Sequence, residues 1–337
     1  MSAPGPVVDV HAHCLVGAVE ELVAGRPELA EQQALDVLRS GADSLGPTAA
    51  MIRVALPALT TVPRRLADMD AAGVDVQVVS PSPSHYHYWA DPELARAVCG
   101  AAGQGVADVV AQAPDRLVGL GLVPLQHPQL CADALDEALD RGLRGVEISS
   151  AAPGVELSDP RLAGFWARAE QTGAVVFLHP FGCSLDERLD RFYLSNTVGQ
   201  PVENAVALSH LIFAGVLDRH PGLRVLAAHG GGYLPTYLGR SDHAWQVRPE
   251  ARGCALPPSS YLKRLWFDSL VHTPEALRAL VAAVGADRVL LGSDHPFDMG
   301  VPDPVARLDA AGLPPGDRAA IAGGTAQTLG LVPGKDS

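Results

Sequence analysis

Lysine is almost absent from this chain. It occurs only as Lys263 and Lys335, so nearly all the positive charge is carried by arginine. Acidic residues also outnumber basic ones, with Asp+Glu 38 against Lys+Arg 25 and a formal net charge of -13. Such a surface is a poor partner for the phosphates of nucleic acid or of an anionic membrane. We therefore expect neither as a partner.

Cysteine is sparse and irregularly placed. The five cysteines are odd in number and form no C-x-x-C pair, which predicts neither a disulfide framework nor a structural zinc knot. The N-terminus lacks a basic start followed by an apolar core, and no apolar run is long enough to span a bilayer. These features predict a cytoplasmic protein with no membrane partner.

Short apolar runs alternate with helical patterns along the whole chain. The runs lie at residues 7–10, 74–80, near 117–123, 145–149, 174–178, 223–228, 265–268 and 289–293. Helices are predicted between them, for example at 91–113 and 273–284, where a capping residue is followed by Pro-Glu. Eight buried strands that alternate with helices predict an α/β fold, a (β/α)8 TIM barrel rather than a doubly wound sheet. The length of 337 residues fits one such domain spanning 1–337.

One connection is much longer than an ordinary strand-to-helix loop. It covers about residues 15–69, between the first and second strands, with a helical pattern around 28–39 and a looser stretch at 46–63. Long insertions on this face of a barrel usually cover the active site. We interpret it as a lid or small insertion and not as an independent domain.

Polar side chains stand where predicted strands end, at the barrel face that holds active sites. His11 and His13 share one face of the first strand, because side chains alternate along a strand. His179, His229 and Asp294 follow the fifth, sixth and eighth strands. Three histidines and one aspartate suit a divalent ion and leave a position open for water or substrate. The remaining histidine, His229, precedes three glycines and suits proton transfer near neutral pH.

A second H-x-H pair, His85 and His87, lies in the aromatic segment His-Tyr-His-Tyr-Trp. This segment lies several residues beyond the second strand, so strand alternation does not place the two rings together. We interpret it first as an aromatic loop that contacts substrate, and second as another metal site.

Four motifs give the sequence a recognisable pattern. They are Asp-Val-His-Ala-His at 9–13, Leu-His-Pro at 178–180, Ala-His-Gly-Gly-Gly at 228–232 and Gly-Ser-Asp-His-Pro-Phe at 292–297. In this order they resemble the amidohydrolase superfamily, and within it the amidohydrolase-2 group, which includes aminocarboxymuconate-semialdehyde decarboxylases. The resemblance runs over most of the chain and implies a barrel with one divalent ion, zinc first and manganese second.

The resemblance also implies roles for individual residues. The metal ligands of the family fall on His11, His13, His179 and Asp294, and its catalytic histidine falls on His229. In the mechanism that we expect, either His229 or Asp294 handles the proton. Its carboxylate-binding arginines fall on Arg53 and Arg240. In the resembling enzymes the second arginine enters the pocket of the neighbouring subunit, which implies a homodimer.

Three more residues are predicted to contact substrate, Glu147, Phe181 and Phe297. Glu147 stands where close relatives have a neutral amide, on the strand that carries a metal-bridging lysine in binuclear relatives. The strand has no lysine here, so a lysine-bridged metal pair is excluded, while a pair bridged by Glu147 stays as an alternative.

Together these features predict a metal-dependent, non-oxidative decarboxylase (a carboxy-lyase) acting on a small conjugated or aromatic carboxylic acid. The first alternative keeps the site but changes the reaction, to hydrolysis of an amide, lactone or ester or to hydration of a double bond. The second alternative is a non-catalytic barrel. No organic cofactor is expected, because no phosphate-binding glycine fingerprint is present.

Overall fold

Eight parallel strands form a barrel at the centre of the molecule. The computed structural model describes residues 5–334, apart from the side chains of residues 186 and 187. The strands are β1 (Val8–Cys14), β2 (Val76–Pro81), β3 (Leu117–Gly119 and Gly121–Leu122), β4 (Gly145–Ile148), β5 (Val175–Leu178), β6 (Arg224–Ala227), β7 (Trp266–Asp268) and β8 (Val289–Leu290). Each lies within or beside a predicted apolar run, and the predicted TIM-barrel fold is confirmed.

These eight strands pair in sequence order, and each of their pairings is parallel. Two short strands after β4, Ala151–Ala152 and Val155–Glu156, form a separate antiparallel hairpin. The two halves of β3 pair with different neighbours, the first with β2 and the second with β4. Beyond β8 the chain reaches β1, where Val10 N–H donates to Leu291 O (2.9 Å) and His13 N–H donates to His295 O (2.8 Å). These bonds bring the eighth strand segment beside the first.

The helices follow the strands in the expected rhythm. They are α1 (Gly17–Val23), α2 (Pro27–Ser40), α3 (Leu45–Thr60), α4 (Val62–Ala72), α5 (Pro92–Ala111), α6 (Cys131–Asp140), α7 (Ala163–Thr172), α8 (Gln200–Phe213), α9 (Val216–Arg219), α10 (Leu234–Tyr237), α11 (Gly239–Val247), α12 (Pro274–Val284), α13 (Pro304–Ala310), α14 (Pro315–Ala319) and α15 (Thr325–Thr328). The predicted caps are confirmed, since the Asp91 side chain accepts from two backbone N–H groups of α5 and Thr273 accepts from Ala276 N–H.

The long connection between β1 and β2 folds into the helices α1 to α4. The prediction of a looser stretch at 46–63 is wrong, because α3 occupies residues 45–60 and includes Pro57. This proline lies in the last turn, and the preceding run is rich in alanine and other good helix formers, so propensity outweighs the break. Residues 5–334 contain no single helix long and apolar enough to cross a bilayer, although the bent pair Ala42–Thr60 and Val62–Ala72 meets that criterion together.

Two apolar layers hold the barrel together. Inward-facing valines and leucines of the strands fill its interior with Phe177, and Leu329 and Leu331 beside α15 pack against the same cluster. A larger layer lies between the strands and the surrounding helices and includes Phe165, Trp166 and Phe267. The carboxyl ends of the strands are thereby fixed in a rigid frame.

Candidate metal centre

Four of the predicted residues meet at the carboxyl ends of the strands. One ligand atom from each of His11, His13, His179 and Asp294 lies within 4.8 Å of the others, and all four residues are buried. The Nε2 atoms of His11 and His13 are 3.2 Å apart. Asp294 Oδ1 is 3.4 Å from the first of these atoms and 3.2 Å from the second. Residues separated by more than 280 positions therefore share one small volume.

This geometry fits one divalent ion. Bonds of about 2.0–2.2 Å in a tetrahedral arrangement place neighbouring ligand atoms roughly 3.3–3.6 Å apart, close to the spacing of the atoms of His11, His13 and Asp294. Both ring nitrogens of His179 and Oδ1 of Asp294 are buried without a hydrogen-bond partner among the described residues. Buried polar atoms rarely lack partners, and a cation would satisfy Asp294 Oδ1 and one of the two nitrogens of His179. Within residues 5–334 this is the only group of histidine, cysteine and acidic side chains found with such spacing.

A bulge in β1 directs the first two histidines. The pairing of β1 with β2 shifts between Asp9 and Ala12, so one extra residue is accommodated there. Asp9 stabilises the bulge, because its Oδ1 accepts from His11 N–H at 3.1 Å. Alternation alone predicts the same face for both rings, and the bulged strand still brings them together.

Asp268, the last residue of β7, fixes the orientation of His11. Its Oδ2 lies 2.6 Å from His11 Nδ1, and this contact places the ring proton on Nδ1 and leaves the Nε2 lone pair for the cluster. The same carboxylate accepts from the backbone N–H of His229 at 3.0 Å and of Gly230 at 2.8 Å. One buried acid therefore orients both a candidate ligand and the candidate catalytic histidine.

His229 lies at the edge of the cluster. Its Nε2 is 3.8 Å from Asp294 Oδ2, and its ring centroid is 5.0 Å from that of His179. Its backbone adopts a left-handed φ of 53°, which is costly for a non-glycine residue and concentrated at functional sites. Glycine is required two residues later, since a Cβ on Gly231 would lie 2.7 Å from the Phe267 ring.

The charges around the cluster favour a cation. Burial lowers the pKa of His179 well below its usual value, and the nearby His13 and His11 add to this effect, so the ring is neutral. Burial opposes ionisation of Asp294, but electrostatic interaction with the nearby rings of His11, His13 and His229 outweighs it and holds the pKa of Asp294 well below its usual value. A neutral imidazole and an ionised carboxylate are the forms that bind metal.

Glu147 lies behind His13. It is fully buried, with Oε2 3.6 Å from His13 Nδ1 and Oε1 2.7 Å from the Tyr86 hydroxyl. Burial raises the pKa of this carboxyl, although His13 opposes the shift. These contacts suit a residue that supports the candidate ligand His13. Contact between Glu147 and the substrate stays a prediction.

The aromatic segment after β2 approaches the centre through its tyrosines. Tyr86 OH lies 2.7 Å from the carbonyl oxygen of His179, and its ring stacks on Tyr88 at 5.2 Å. His85 is fully buried and 2.9 Å from Glu20 Oε1, while the His87 ring centroid lies 6.3 Å from it. Within residues 5–334 no group of three or more metal-binding side chains that includes His85 or His87 is found, so the structure gives no support to a second metal site here.

The other predicted substrate contacts are unequally placed. The ring of Phe297 is 5.5 Å from that of His13, beside the cluster, whereas Phe181 is 44% exposed and 6.4 Å from the Tyr86 ring. Arg53 on α3 and Arg240 on α11 are exposed, and neither makes a hydrogen bond or ion pair within the part of the chain that the structure describes. In a single chain, the structure does not bring either arginine to the cluster.

A cavity of about 400 Å³ opens beside His229 and Asp294. Its wall includes Asn196, Gln200 and Tyr233, together with apolar residues of α12 and of the loop between β7 and α12. Its size and its mixture of apolar and neutral polar groups suit a small organic molecule.

The sequence also matches a known family over nearly its whole length. A model of the amidohydrolase family, described as Amidohydrolase, covers residues 8–329. The chain belongs to the amidohydrolase family. Its four motifs and its barrel agree with this assignment.

Named relatives of this amidohydrolase include two 2-amino-3-carboxymuconate-6-semialdehyde decarboxylases. The one from Dictyostelium discoideum is 37% identical over 239 residues, covering 70% of this chain and 67% of the relative. The one from Caenorhabditis elegans is 28% identical over 347 residues, covering 87% and 86%. Among solved structures, 5-carboxyvanillate decarboxylase from Novosphingobium aromaticivorans, with manganese and 4-hydroxy-3-methoxy-5-nitrobenzoic acid, gives a TM-score of 0.85 at 22% identity, covering 97% of this chain and 96% of that one. This last likeness supports the fold.

Sequence reasoning missed three residues at the centre of this amidohydrolase. Asp268 had a usable signal, because it is an acid at the end of a predicted strand. Tyr86 lies in the aromatic segment, where the H-x-H pair is the more conspicuous signal. Arg65 on α4 gave no signal, since an arginine in an amphipathic helix is normally exposed, yet here it is 1% exposed.

Proposed function

We propose that this amidohydrolase is a metal-dependent, non-oxidative decarboxylase acting on a small conjugated or aromatic carboxylic acid. The proposal rests on one observation above all, the convergence of His11, His13, His179 and Asp294 beside His229 at the edge of a substrate-sized cavity. The naming of the relatives above as decarboxylases supports the same activity. Zinc is our proposed metal, with manganese as the alternative that the Novosphingobium structure contains.

The position of each residue indicates its proposed role in the reaction. His11, His13, His179 and Asp294 would hold the ion, which when bound stabilises negative charge on an oxygen of the substrate. His229 is partly open to the cavity and lies beside Asp294, so it can deliver a proton at Nε2 to the carbon that loses CO2. In this step the carbon–carbon bond breaks, its electron pair stays on the substrate carbon, and a C–H bond forms there.

Arg53 and Arg240 would orient carboxylates of the substrate, a task that suits the bidentate guanidinium group. Both are exposed in the single chain, and the helices that carry or precede them have unusually exposed apolar side chains, including Val54 at 79% and Tyr237 at 70%. Contiguous exposed apolar surface marks interaction sites. We therefore propose a homodimer in which Arg240 completes the pocket of the partner chain. A cytoplasmic location is also part of the proposal, since the five cysteines are free thiols.

The test follows the carboxyl carbon. The metal-loaded protein is incubated with hydroxylated and amino-substituted aromatic or dienoic acids that carry ¹³C at the carboxyl group. Release of labelled CO2, with one solvent deuteron in the product from D2O, is the expected result. Incorporation of ¹⁸O from water without CO2 release would replace this proposal with a hydrolase or hydratase. Failure of the protein to bind a divalent metal would favour a non-catalytic barrel.

A further inference from the structure

Arg65 is the one arginine or lysine that is fully buried in the described part of the chain. It extends from α4 toward the barrel, where its NH2 group donates to His13 O at 2.5 Å and to Ala58 O at 3.1 Å. Its NH1 group donates to Gln77 Oε1 at 2.7 Å. Burying a guanidinium group is costly unless its hydrogen bonds are satisfied, so this arrangement requires a stabilising environment.

Gln77 links the arginine to a buried acid. Its Nε2 donates to Asp9 Oδ2 at 2.9 Å, so the guanidinium and the carboxylate are joined through one neutral amide. Asp9 in turn accepts from His11 N–H at 3.1 Å and from Ser293 N–H at 3.0 Å, and Ser293 Oγ donates to it at 2.6 Å. Every group in this chain of contacts is at most 3% exposed.

The network holds the backbone at three of the four candidate ligands. Asp9 fixes the N–H of His11, Arg65 fixes the carbonyl of His13, and Ser293 immediately precedes Asp294. It also reaches the insertion, because Ala58 lies in the last turn of α3. A single side chain therefore connects the insertion helices to the metal-binding strand.

We propose that Arg65 is a positioning residue for the metal centre. Through Gln77 and Asp9 it sets the relative positions of His11, His13 and Asp294, and it joins α3 and α4 to them. This inference rests on the metal site of the proposed function, but not on the reaction performed there. Outer contacts of this kind typically change metal affinity by about 10- to 100-fold when they are removed.

The experiment measures metal affinity without using catalysis. Metal-free wild type and variants are titrated with Mn²⁺ or Zn²⁺ against a chelating dye, well below their melting temperatures and with folding verified by circular dichroism. Arg65→Met should weaken the affinity about 10- to 100-fold. Arg65→Lys, which keeps the charge but not the forked donors, should weaken it less.

Two arginines provide matched controls. Arg64 is the adjacent residue on α4 but is exposed and pairs with Asp68, so Arg64→Met should bind metal as wild type does. Arg224 donates to the carbonyls of Gly173 and Leu329 at the opposite end of the barrel. Arg224→Met should lower the melting temperature and leave metal affinity unchanged.

A second variant keeps the proposal testable if Arg65→Met does not fold. Gln77→Met breaks the link to Asp9 and should lower metal affinity, and the effects of Gln77→Met and Arg65→Lys should be non-additive in the double variant. Wild-type affinity in folded Arg65→Met or in Gln77→Met would overturn the proposal. An equal loss in Arg224→Met would also overturn it, because a general loss of stability would then explain the effect. If the metal affinities are as expected but the wild type does not decarboxylate any substrate, only the proposed reaction is refuted.

Discussion

Replacing Asp268 with asparagine should remove the acceptor that orients His11 and His229, while preserving the shape of the side chain. Asp268 is fully buried and accepts from His11 Nδ1 (2.6 Å), His229 N–H (3.0 Å), Gly230 N–H (2.8 Å) and Leu270 N–H (3.1 Å). Its Oδ1 takes the contacts with Gly230 and Leu270, and its Oδ2 takes the other two. An amide in this position keeps one acceptor and presents N–H groups where Oδ2 stood.

The substitution should affect both His11 and His229. With an N–H opposite Nδ1, His11 must accept there and carry its proton on Nε2, the atom that faces the cluster. A hydrogen bond involving a charged group contributes about 1.5–3 kcal/mol, and each 1.4 kcal/mol is tenfold in affinity. We therefore expect metal binding to weaken about 10- to 100-fold. The backbone N–H of His229 also loses its acceptor, so kcat should fall even at saturating metal.

The assay is a titration of metal-free protein with Mn²⁺ or Zn²⁺, followed by kinetics at saturating metal. Asp287→Asn is the control, because Asp287 is an exposed acid with 76% of its side chain accessible. Wild-type metal affinity in Asp268→Asn, with the fold intact, would refute the claim that this carboxylate sets the tautomer of His11.

Three further predictions concern the catalytic histidine, the proposed dimer and the aromatic segment. His229→Gln should keep its metal, as shown by metal analysis, but lose activity about 10²- to 10⁴-fold, the usual value of general acid–base catalysis; loss of the metal would instead make His229 a ligand. Mixing inactive His229→Gln chains with Arg240→Met chains should restore activity if Arg240 acts in the partner's pocket, and no recovery would contradict the proposed dimer. Burial and the nearby His85 lower the pKa of His87 to about 4. Between about pH 6.5 and pH 4, His87 therefore binds a proton in the unfolded chain but stays neutral in the folded chain. From pH 7 to 5 the metal-free wild type should therefore lose up to about 2 kcal/mol more unfolding free energy than His87→Gln in urea titrations, and equal losses would contradict this burial.

The strand positions were predictable from the sequence because barrel strands are buried on both faces. Their apolar runs are continuous, as in 174–178, and glycine, proline or a polar residue ends each one. The candidate ligands were predictable for the same reason. A polar side chain at the end of such a run, as at His179 or Asp294, lies at the face where barrels hold their active sites.

The insertion shows the limit of local patterns. Residues 46–63 contain glycine and prolines that suggest a loop, yet α3 forms because its alanine-rich run packs Ala55, Ala58 and Leu59 inward. Arg65 shows a second limit. Its burial is created by acceptors from His13 and Gln77, which lie in two different strands, and no feature of α4 itself indicates them.

Arg53 and Arg240 illustrate a third limit, which concerns the proposed homodimer. Arg53 and Arg240 were assigned through resemblance, and the single chain leaves both exposed. In the homodimer that we propose, the role of Arg240 depends on a second copy of the chain, and neither local pattern nor the fold of one chain determines it. The mixing experiment addresses this question directly.

In our proposal, one divalent ion is held by two ligands from β1 and by one ligand from each of the segments that follow β5 and β8. The most direct test of this arrangement is the metal content of purified protein after loading and dialysis, measured by mass spectrometry for the wild type and for His179→Ala, with His243→Ala as an exposed histidine control. The account predicts one ion per chain in the wild type and the control, and little or none in His179→Ala. Unchanged metal content in His179→Ala would contradict it.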